Sequence, residues 1–262
     1  YARMWNNFLY DKGIVSVKEP FKKLVHQGMI LGSNGIKMGK RFPKYVINPD
    51  DIVREYGADT LRMYEMFMGP LEADKPWNDD AVNGIRKFLD RIWRLYTEDN
   101  LFTDDYDKNL EKIYNRTVKK VTEDYESMNF NTAISQMMIF INAVYKENKY
   151  PKTYAKEFIK LLNPIAPHIT EEIWHEVFNE PDTIAYAKWP EYDDTKLIDD
   201  TFTMVVQVNG KVRGKIDVSS ETTSEEMEKL AKEIDNVKNY IDGKEIVKVV
   251  TIPKKIVNIV VK

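Results

Sequence analysis

The hydrophobic pattern of this chain changes period once, and that change limits what it can fold into. From about residue 79 to 179 the apolar residues recur three and four apart, the spacing of one helix face. Ile85, Phe88, Leu89, Ile92, Trp93 and Tyr96 are the clearest run. From residue 201 the period falls to two. Met204-Val205-Val206-Gln207-Val208 and Lys211-Val212-Arg213-Gly214-Lys215-Ile216 flank Asn209-Gly210, the dipeptide that favours a two-residue type I′ hairpin turn. The first pattern predicts helices over roughly 79–98, 107–126, 130–147 and 152–179, joined by short loops as an antiparallel bundle. The second predicts a small α+β domain of order β-β-α-β-β. Its helix runs over about 224–240 behind a Ser224 cap, and strands near 245–252 and 256–261 lie on either side of Pro253.

Upstream of the bundle the pattern is mixed. Residues 2 to 12 place Trp5, Phe8 and Leu9 at helical spacing before Gly13. Ile14-Val15-Ser16-Val17 reads as extended, Leu24 to Leu31 as a strand, and Gly32-Ser33-Asn34-Gly35 as a tight turn. One helix and a few strand pieces cannot close a core, so residues 1–48 are expected to be a remnant of an α/β domain. Pro49 suits a first helical position with Asn48 as its cap, and Asp50 and Asp51 suit the positive end of the helix dipole. Gly57 ends that helix, and Asp59 to Met68 forms the next, ended by Gly69-Pro70. The expected layout is multidomain and mainly α: the remnant, connecting helices 49–78, a helix bundle 79–180, a linker 181–200 with Pro181 and Trp189-Pro190, and an α+β domain 201–262.

Composition excludes several classes of function. Charged residues are 31% and hydrophobic residues 43% of 262. No run approaches the ~18 apolar residues of a membrane span, so no membrane partner is expected. The net charge of -3 means that any nucleic-acid binding must come from a local patch. With no cysteine, disulfide and thiolate chemistry are absent, which is compatible with a reducing compartment. His26, His168 and His175 have no partners at metal-ligand spacing, so no zinc site is expected. No signal peptide is visible, and Tyr1 already lies in a helical pattern. This reads as a cut made within a larger protein.

The residues most able to carry chemistry are Lys37-Met38-Gly39-Lys40-Arg41. Two ammonium groups three residues apart on a loop after a strand can reach a polyphosphate as point charges. Taken alone, five such residues are a solvated basic turn. Two downstream segments reverse that reading: Asn48-Pro49-Asp50-Asp51-Ile52-Val53, then Tyr56-Gly57-Ala58-Asp59-Thr60-Leu61-Arg62. In this order and spacing the stretch resembles the Lys-Met-Ser-Lys-Ser loop and subsequent helices of class I aminoacyl-tRNA synthetases. Gly39 and Arg41 stand where that family has serines, and Phe42-Pro43-Lys44 come next where Lys/Arg-Gly-Asn is common. The charge is retained, while the serine hydroxyl contact is lost. Asp59 and Arg62 are expected to form a local cap and ion pair.

Further segments resemble the bacterial leucyl-tRNA synthetases. They are Met66-Phe67-Met68-Gly69-Pro70-Leu71-Glu72, Lys75-Pro76-Trp77, Phe88 to Leu95, Asn163-Pro164-Ile165-Ala166-Pro167-His168-Ile169-Thr170-Glu171-Glu172-Ile173-Trp174, and Val205 to Lys215. The valyl, isoleucyl and methionyl enzymes share the Gly-Ala-Asp helix and the Ala-Pro-His turn in looser form. The resemblance covers nearly the whole chain in the right order. It implies a C-terminal portion of an enzyme that uses ATP, with its magnesium, to attach leucine to tRNA(Leu). The fold it implies is an end piece of the nucleotide-binding domain, an anticodon-binding-type bundle and a C-terminal tRNA-binding domain.

By this resemblance Lys37 and Lys40 are the catalytic candidates, and Lys37, Met38, Gly39, Lys40 and Arg41 hold the ATP phosphates. His168 is expected to be a packed or capping residue, and Trp77, Trp93 and Trp174 to be core. Strand alternation is expected to put Lys211, Arg213 and Lys215 on one face, with Lys248, Lys254 and Lys255 extending a tRNA-binding surface suited to phosphates. The His-Ile-Gly-His partner motif of the family is absent from these 262 residues. The chain alone is therefore not expected to form leucyl-adenylate. A cytoplasmic monomer that binds tRNA is the expected form; the competing readings are a non-enzymatic tRNA-binding module and a fragment of another class I synthetase, the valyl, isoleucyl or methionyl enzyme.

Overall fold

The computed structural model describes residues 1–197, 201–219, 222–253 and 255–262, with only the backbone of Thr201. They divide into two units, Tyr1–Asp193 and Asp194–Lys262. The chain is mainly helical with a small sheet unit.

The first helix, α1 (Ala2–Asp11), buries none of its residues. Arg3 bonds Glu19 at 2.8 Å, and the Asn6 amide donates to the carbonyls of Val17 and Lys18 at 3.0 and 2.8 Å. These contacts hold the next segment against the helix without forming a core. Ile14–Val17 is not a strand. Of the strand expected over Leu24–Leu31, only β1 (Ile30–Leu31) forms. The turn at Gly32–Gly35 forms as expected, closed by Gly35 N–H donating to Gly32 O at 2.8 Å.

The helical region opens as its capping chemistry predicts. In α2 (Pro49–Tyr56) the Asn48 side chain accepts from Asp50 N, and Pro49 takes the first position. Gly57, at φ 90°, ends this helix and begins α3 (Ala58–Phe67). A short strand β2 (Lys75–Pro76) then pairs in parallel with β1.

Next come α4 (Asp79–Thr97), then β3 (Phe102–Thr103), α5 (Lys108–Glu126), α6 (Phe130–Glu147) and β4 (Tyr150–Pro151). Ile85, Phe88, Leu89, Ile92 and Tyr96 of the apolar stripe are buried, while Trp93 is only half-buried. They pack with Val118, Val121, Ile134, Met137, Phe140 and Ile141 from α5 and α6 in one core. Each fully buried aliphatic or aromatic side chain contributes about 1.5–3 kcal/mol of transfer free energy. Two tyrosine hydroxyls lie inside that core. Tyr96 and Tyr150 share a 2.8 Å hydrogen bond, and Tyr96 also donates to Ala155 O at 2.8 Å. Burial pushes both phenols far above the ordinary tyrosine range.

The single helix expected over 152–179 is two, α7 (Lys152–Leu162) and α8 (Pro167–Glu176). Apolar spacing runs through the break, but Pro167 inside a helix would lose a backbone bond and clash with the preceding turn. It sits instead at the first position of α8, where its missing N–H costs nothing. Within the stretch expected to be a linker, Asp182 O accepts from the Trp174 indole at 2.8 Å and Trp189 donates to Thr122 at 2.9 Å. Ile184 is buried.

The second unit contains β5 (Thr201–Val208), β6 (Lys211–Ser219), α9 (Ser224–Glu233), α10 (Asp235–Ile241), β7 (Ile246–Ile252) and β8 (Ile256–Val261). Asn209 and Gly210 both have positive φ, 49° and 78°, as a type I′ turn requires. The sheet order is β6-β5-β8-β7, with β5 and β8 parallel. Its helix face buries Met204, Val206, Val208, Val257 and Ile259 with Met227, Ala231 and Val237. The helix expected over 224–240 is broken at Ile234, which is extended at ψ 121°. Its cap is Thr223, not Ser224, in a reciprocal capping box with Glu226.

Candidate functional site

The lysine loop hangs from a backbone seam. Gly28 N–H donates to Leu71 O at 2.8 Å, Lys75 N–H to Met29 O at 2.9 Å, and Trp77 N–H to Leu31 O at 2.9 Å. The Asp74 carboxylate accepts from Met29 N at 2.6 Å. At Gly28 the two backbones meet so closely that a Cβ would lie 2.0 Å from Ala73 O. The seam thus ties the strand before the loop to the segment between α3 and α4. It buries part of Lys75, whose pKa is lowered from the ordinary lysine value by desolvation.

Beyond the seam a small hairpin carries the loop. Gly32 N–H donates to Ile36 O at 2.9 Å, and Leu31 bridges Lys37 in antiparallel pairing. Lys37, Gly39, Lys40 and Arg41 are exposed. Met38 is turned inward. Its Sδ accepts from Ile47 N at 3.4 Å, and its side chain packs on the core of the unit. Arg41 lies over the Phe42 ring at 5.4 Å, and Phe42 N–H donates to Gly39 O at 3.0 Å. Among the described residues no carboxylate pairs with Lys37, Lys40 or Arg41. One side chain therefore pins the loop while three cations face solvent, a donor set that suits phosphate oxygens. Met38, placed with the phosphate ligands on sequence grounds, acts here through position. No cluster of three or more His, Asp or Glu side chains able to hold a metal occurs among the described residues. Magnesium, expected with ATP, is assigned to no residue here.

Asp59 does not serve the local cap and ion pair expected of it. Its buried carboxylate accepts from Ile169 N at 2.8 Å, from His168 N at 3.3 Å and from the His168 ring at 2.7 Å. It thus caps α8, more than a hundred residues downstream. Arg62 donates to Ile165 O at 3.1 Å and to Pro164 O at 2.9 Å, bonding the turn before the same helix. The Gly-Ala-Asp and Ala-Pro-His segments, separate in sequence, are one latch in the fold. His168 is accordingly a contact residue whose side chain stays 72% exposed.

In the second unit the expected shared basic face is corrected. The β5–β6 register passes from Val206↔Gly214 to Gln207↔Val212, so Arg213 is an extra residue in a bulge. A bulge breaks alternation. Lys211 now pairs with the core residue Val208, whereas Lys215 pairs with Val205 on the opposite face. Arg213 lies over the Tyr240 ring at 3.8 Å and donates to its hydroxyl at 2.9 Å, while its carbonyl accepts from Asn236 at 2.6 Å. It fastens α10 to the hairpin. Gly214 makes room, since a Cβ there would meet Ile234 at 3.1 Å. On the face away from the helices, Lys215 and Lys248 stand on the two edge strands, with Val205, Gln207 and Asn258 on the strands between them and Val250 and Ile252 beside Lys248 on β7. Lys255 is exposed beside β8. Lys254 lies outside the described residues.

No helix among the described residues is long and apolar enough to cross a membrane. Residues 4–78 match the family model of class I tRNA synthetases for isoleucine, leucine, methionine and valine. Residues 107–230 match that of the anticodon-binding domain of tRNA ligases. Among solved structures, the chain is similar to the leucyl-tRNA synthetase AgnB2 of Agrobacterium radiobacter K84, crystallised as a ternary complex with tRNA and LeuAMS. The TM-score is 0.78 and the identity 26%, over 100% of this chain. The chain spans 36% of that synthetase chain.

Proposed function

We propose, from the match of residues 4–78 to the class I tRNA synthetases of the isoleucine, leucine, methionine and valine group and of residues 107–230 to the anticodon-binding domain of tRNA ligases, that this chain is the tRNA-docking and phosphate-loop portion of a leucyl-tRNA synthetase. The observation that carries this is continuity. The likeness to a leucyl enzyme runs through the loop, the bundle and the sheet unit without interruption, and that relative was solved with tRNA bound.

In this reading the chain contributes positioned charge. Lys40 meets the ATP phosphates, Lys37 supports the loop, and Arg41 adds a third cation where the family has a serine. Bound ATP supplies the leaving pyrophosphate of adenylate formation, and preorganised cations at such developing charge are a large part of catalysis. The tRNA lies on the bundle and the sheet unit. Lys215 and Lys248 contact its phosphates from the open sheet face, with Lys211 beside the hairpin turn and Lys255 beside β8 adding charge. The protein acts in the cytoplasm.

The test is equilibrium binding of tRNA(Leu) by the purified chain at several salt concentrations. Binding is expected to weaken with salt. Lys215→Ala and Lys248→Ala should each lower the salt slope by about one. Arg213→Ala should instead lower the melting temperature of the sheet unit. Binding that ignores salt and both lysines would remove the sheet face from the proposal.

A further inference from the structure

The chain holds three Asn-Gly pairs, at 34–35, 83–84 and 209–210. An asparagine before glycine can lose ammonia, because the next backbone nitrogen reaches its side-chain carbon and glycine has no side chain to block the approach. The fold protects two of the pairs. Asn83 and Gly84 lie inside α4, where the Asn83 amide donates to Asp79 O at 3.2 Å, so attack requires unwinding of the helix. The Asn209 side chain is clasped at both ends, donating to Val261 O at 3.1 Å and accepting from Val261 N at 3.0 Å. Gly210 N–H is also engaged, by Asn258 Oδ1 at 3.1 Å.

Asn34 differs. It is exposed, and its amide nitrogen makes no hydrogen bond among the described residues. A Cβ on Gly35 would meet nothing within 4 Å, so the approach to the backbone nitrogen is open. Ile36 N–H donates to Asn34 Oδ1 at 3.1 Å. That oxygen gains negative charge when Asn34 Cγ is attacked, and a donor already aimed at it lowers the barrier. The attacking Gly35 N–H is held by a single bond, to Gly32 O at 2.8 Å, in a turn of exposed residues.

We propose that Asn34 is a site of spontaneous deamidation that ages the lysine loop. The Gly35 nitrogen, its proton taken by hydroxide, bonds to Asn34 Cγ. The Cγ–Nδ2 bond breaks, and Nδ2 leaves as ammonia with a proton from water. Water then opens the resulting succinimide at either carbonyl. The product is aspartate, or isoaspartate with one more methylene in the main chain. Either form puts a carboxylate three residues before Lys37. That span is at most about 10 Å, no more than the Debye length of ~10 Å at 0.1 M salt. The new charge therefore opposes the hold of Lys37 and Lys40 on phosphate. This consequence, unlike the site itself, rests on the phosphate-loop reading above.

The test incubates the purified chain at mildly alkaline pH and follows all three pairs by peptide mapping with mass spectrometry. Asn34 is expected to deamidate at least about tenfold faster than Asn83 or Asn209, whose attack must break more hydrogen bonds, and in proportion to hydroxide. In denaturant the three rates should converge. The site is overturned if Asn34 is no faster than the other two in the folded chain, or if its lead persists in denaturant. The consequence is read by phosphorus NMR titration with tripolyphosphate at low salt. Asn34→Asp, which carries the charge of the product, should weaken binding several-fold, and the difference should shrink as salt is raised. Equal binding by the variant and the unaltered chain would overturn the effect on the loop. No tripolyphosphate binding by the unaltered chain would instead strike the phosphate-loop reading, while the deamidation rates still decide the site.

Discussion

Replacing Gly28 by alanine will release the lysine loop from the helices that position it. The new methyl carbon would lie 2.0 Å from Ala73 O and 2.7 Å from Asp74 N. Both are backbone atoms with no rotamer to escape into, so the seam itself has to open. Overpacking of this kind costs about 1–3 kcal/mol or more. At about 3 kcal/mol the amides of Lys75 and Trp77, which donate across the seam, should exchange roughly a hundredfold faster, since each 1.4 kcal/mol is about tenfold. Core amides of α5 and α6 should keep their rates, because that packing does not involve the seam. Hydrogen exchange measured residue by residue checks both halves. Unchanged rates at Lys75 and Trp77 would mean that the loop is not held where we place it.

Asp59→Ala should produce a large fall in the stability of the first unit. The residue is 8% exposed, and its carboxylate is the acceptor for two backbone amides of α8 and for the His168 ring. Its removal leaves the start of that helix uncapped inside the protein. A lost cap costs about 0.5–2 kcal/mol and a lost charged hydrogen bond about 1.5–3, so a loss of about 2–3 kcal/mol is expected. For a unit of this size that is a fall in melting temperature of roughly 5–10 °C. Asp59→Asn retains one acceptor oxygen and should recover part of it. His168→Ala should cost much less, because the ring is largely in solvent. A large effect of His168→Ala with a small one of Asp59→Ala would mean that the side-chain pair, not the cap, joins α3 to α8.

The same two sites show how much of the molecule could be read from the sequence. Local signals were legible: Asn48 and Pro49 open a helix, Gly57 closes it, and Asn209-Gly210 turns a hairpin, because each acts over a few residues through backbone geometry. Three things were not legible. Asp59 looks like a local cap, since nothing in sequence shows that its partner lies at residues 168 and 169. Lys211, Arg213 and Lys215 look like one face, because alternation assumes a register that the bulge at Arg213 breaks. Leu24–Leu31 looks like a strand, but a strand needs a neighbour, and among the described residues Leu24–Gln27 find none, while Ile30 and Leu31 pair with Lys75–Pro76. Breaks at Pro167 and Ile234 were hidden for a related reason: the apolar spacing continues across both. The lysine loop was found by its order before two helices, while the pinning role of Met38 needed coordinates.

Competition among tRNA species decides whether the chain is the docking portion of a leucyl enzyme. Transcripts of tRNA(Leu), tRNA(Ile), tRNA(Val) and tRNA(Met) would be titrated against the purified chain at low salt, with one labelled species displaced by the others. All binding should weaken with salt, and tRNA(Leu) should displace each competitor at several-fold lower concentration. Equal binding of all four species, or no binding at low salt, would contradict the leucyl reading.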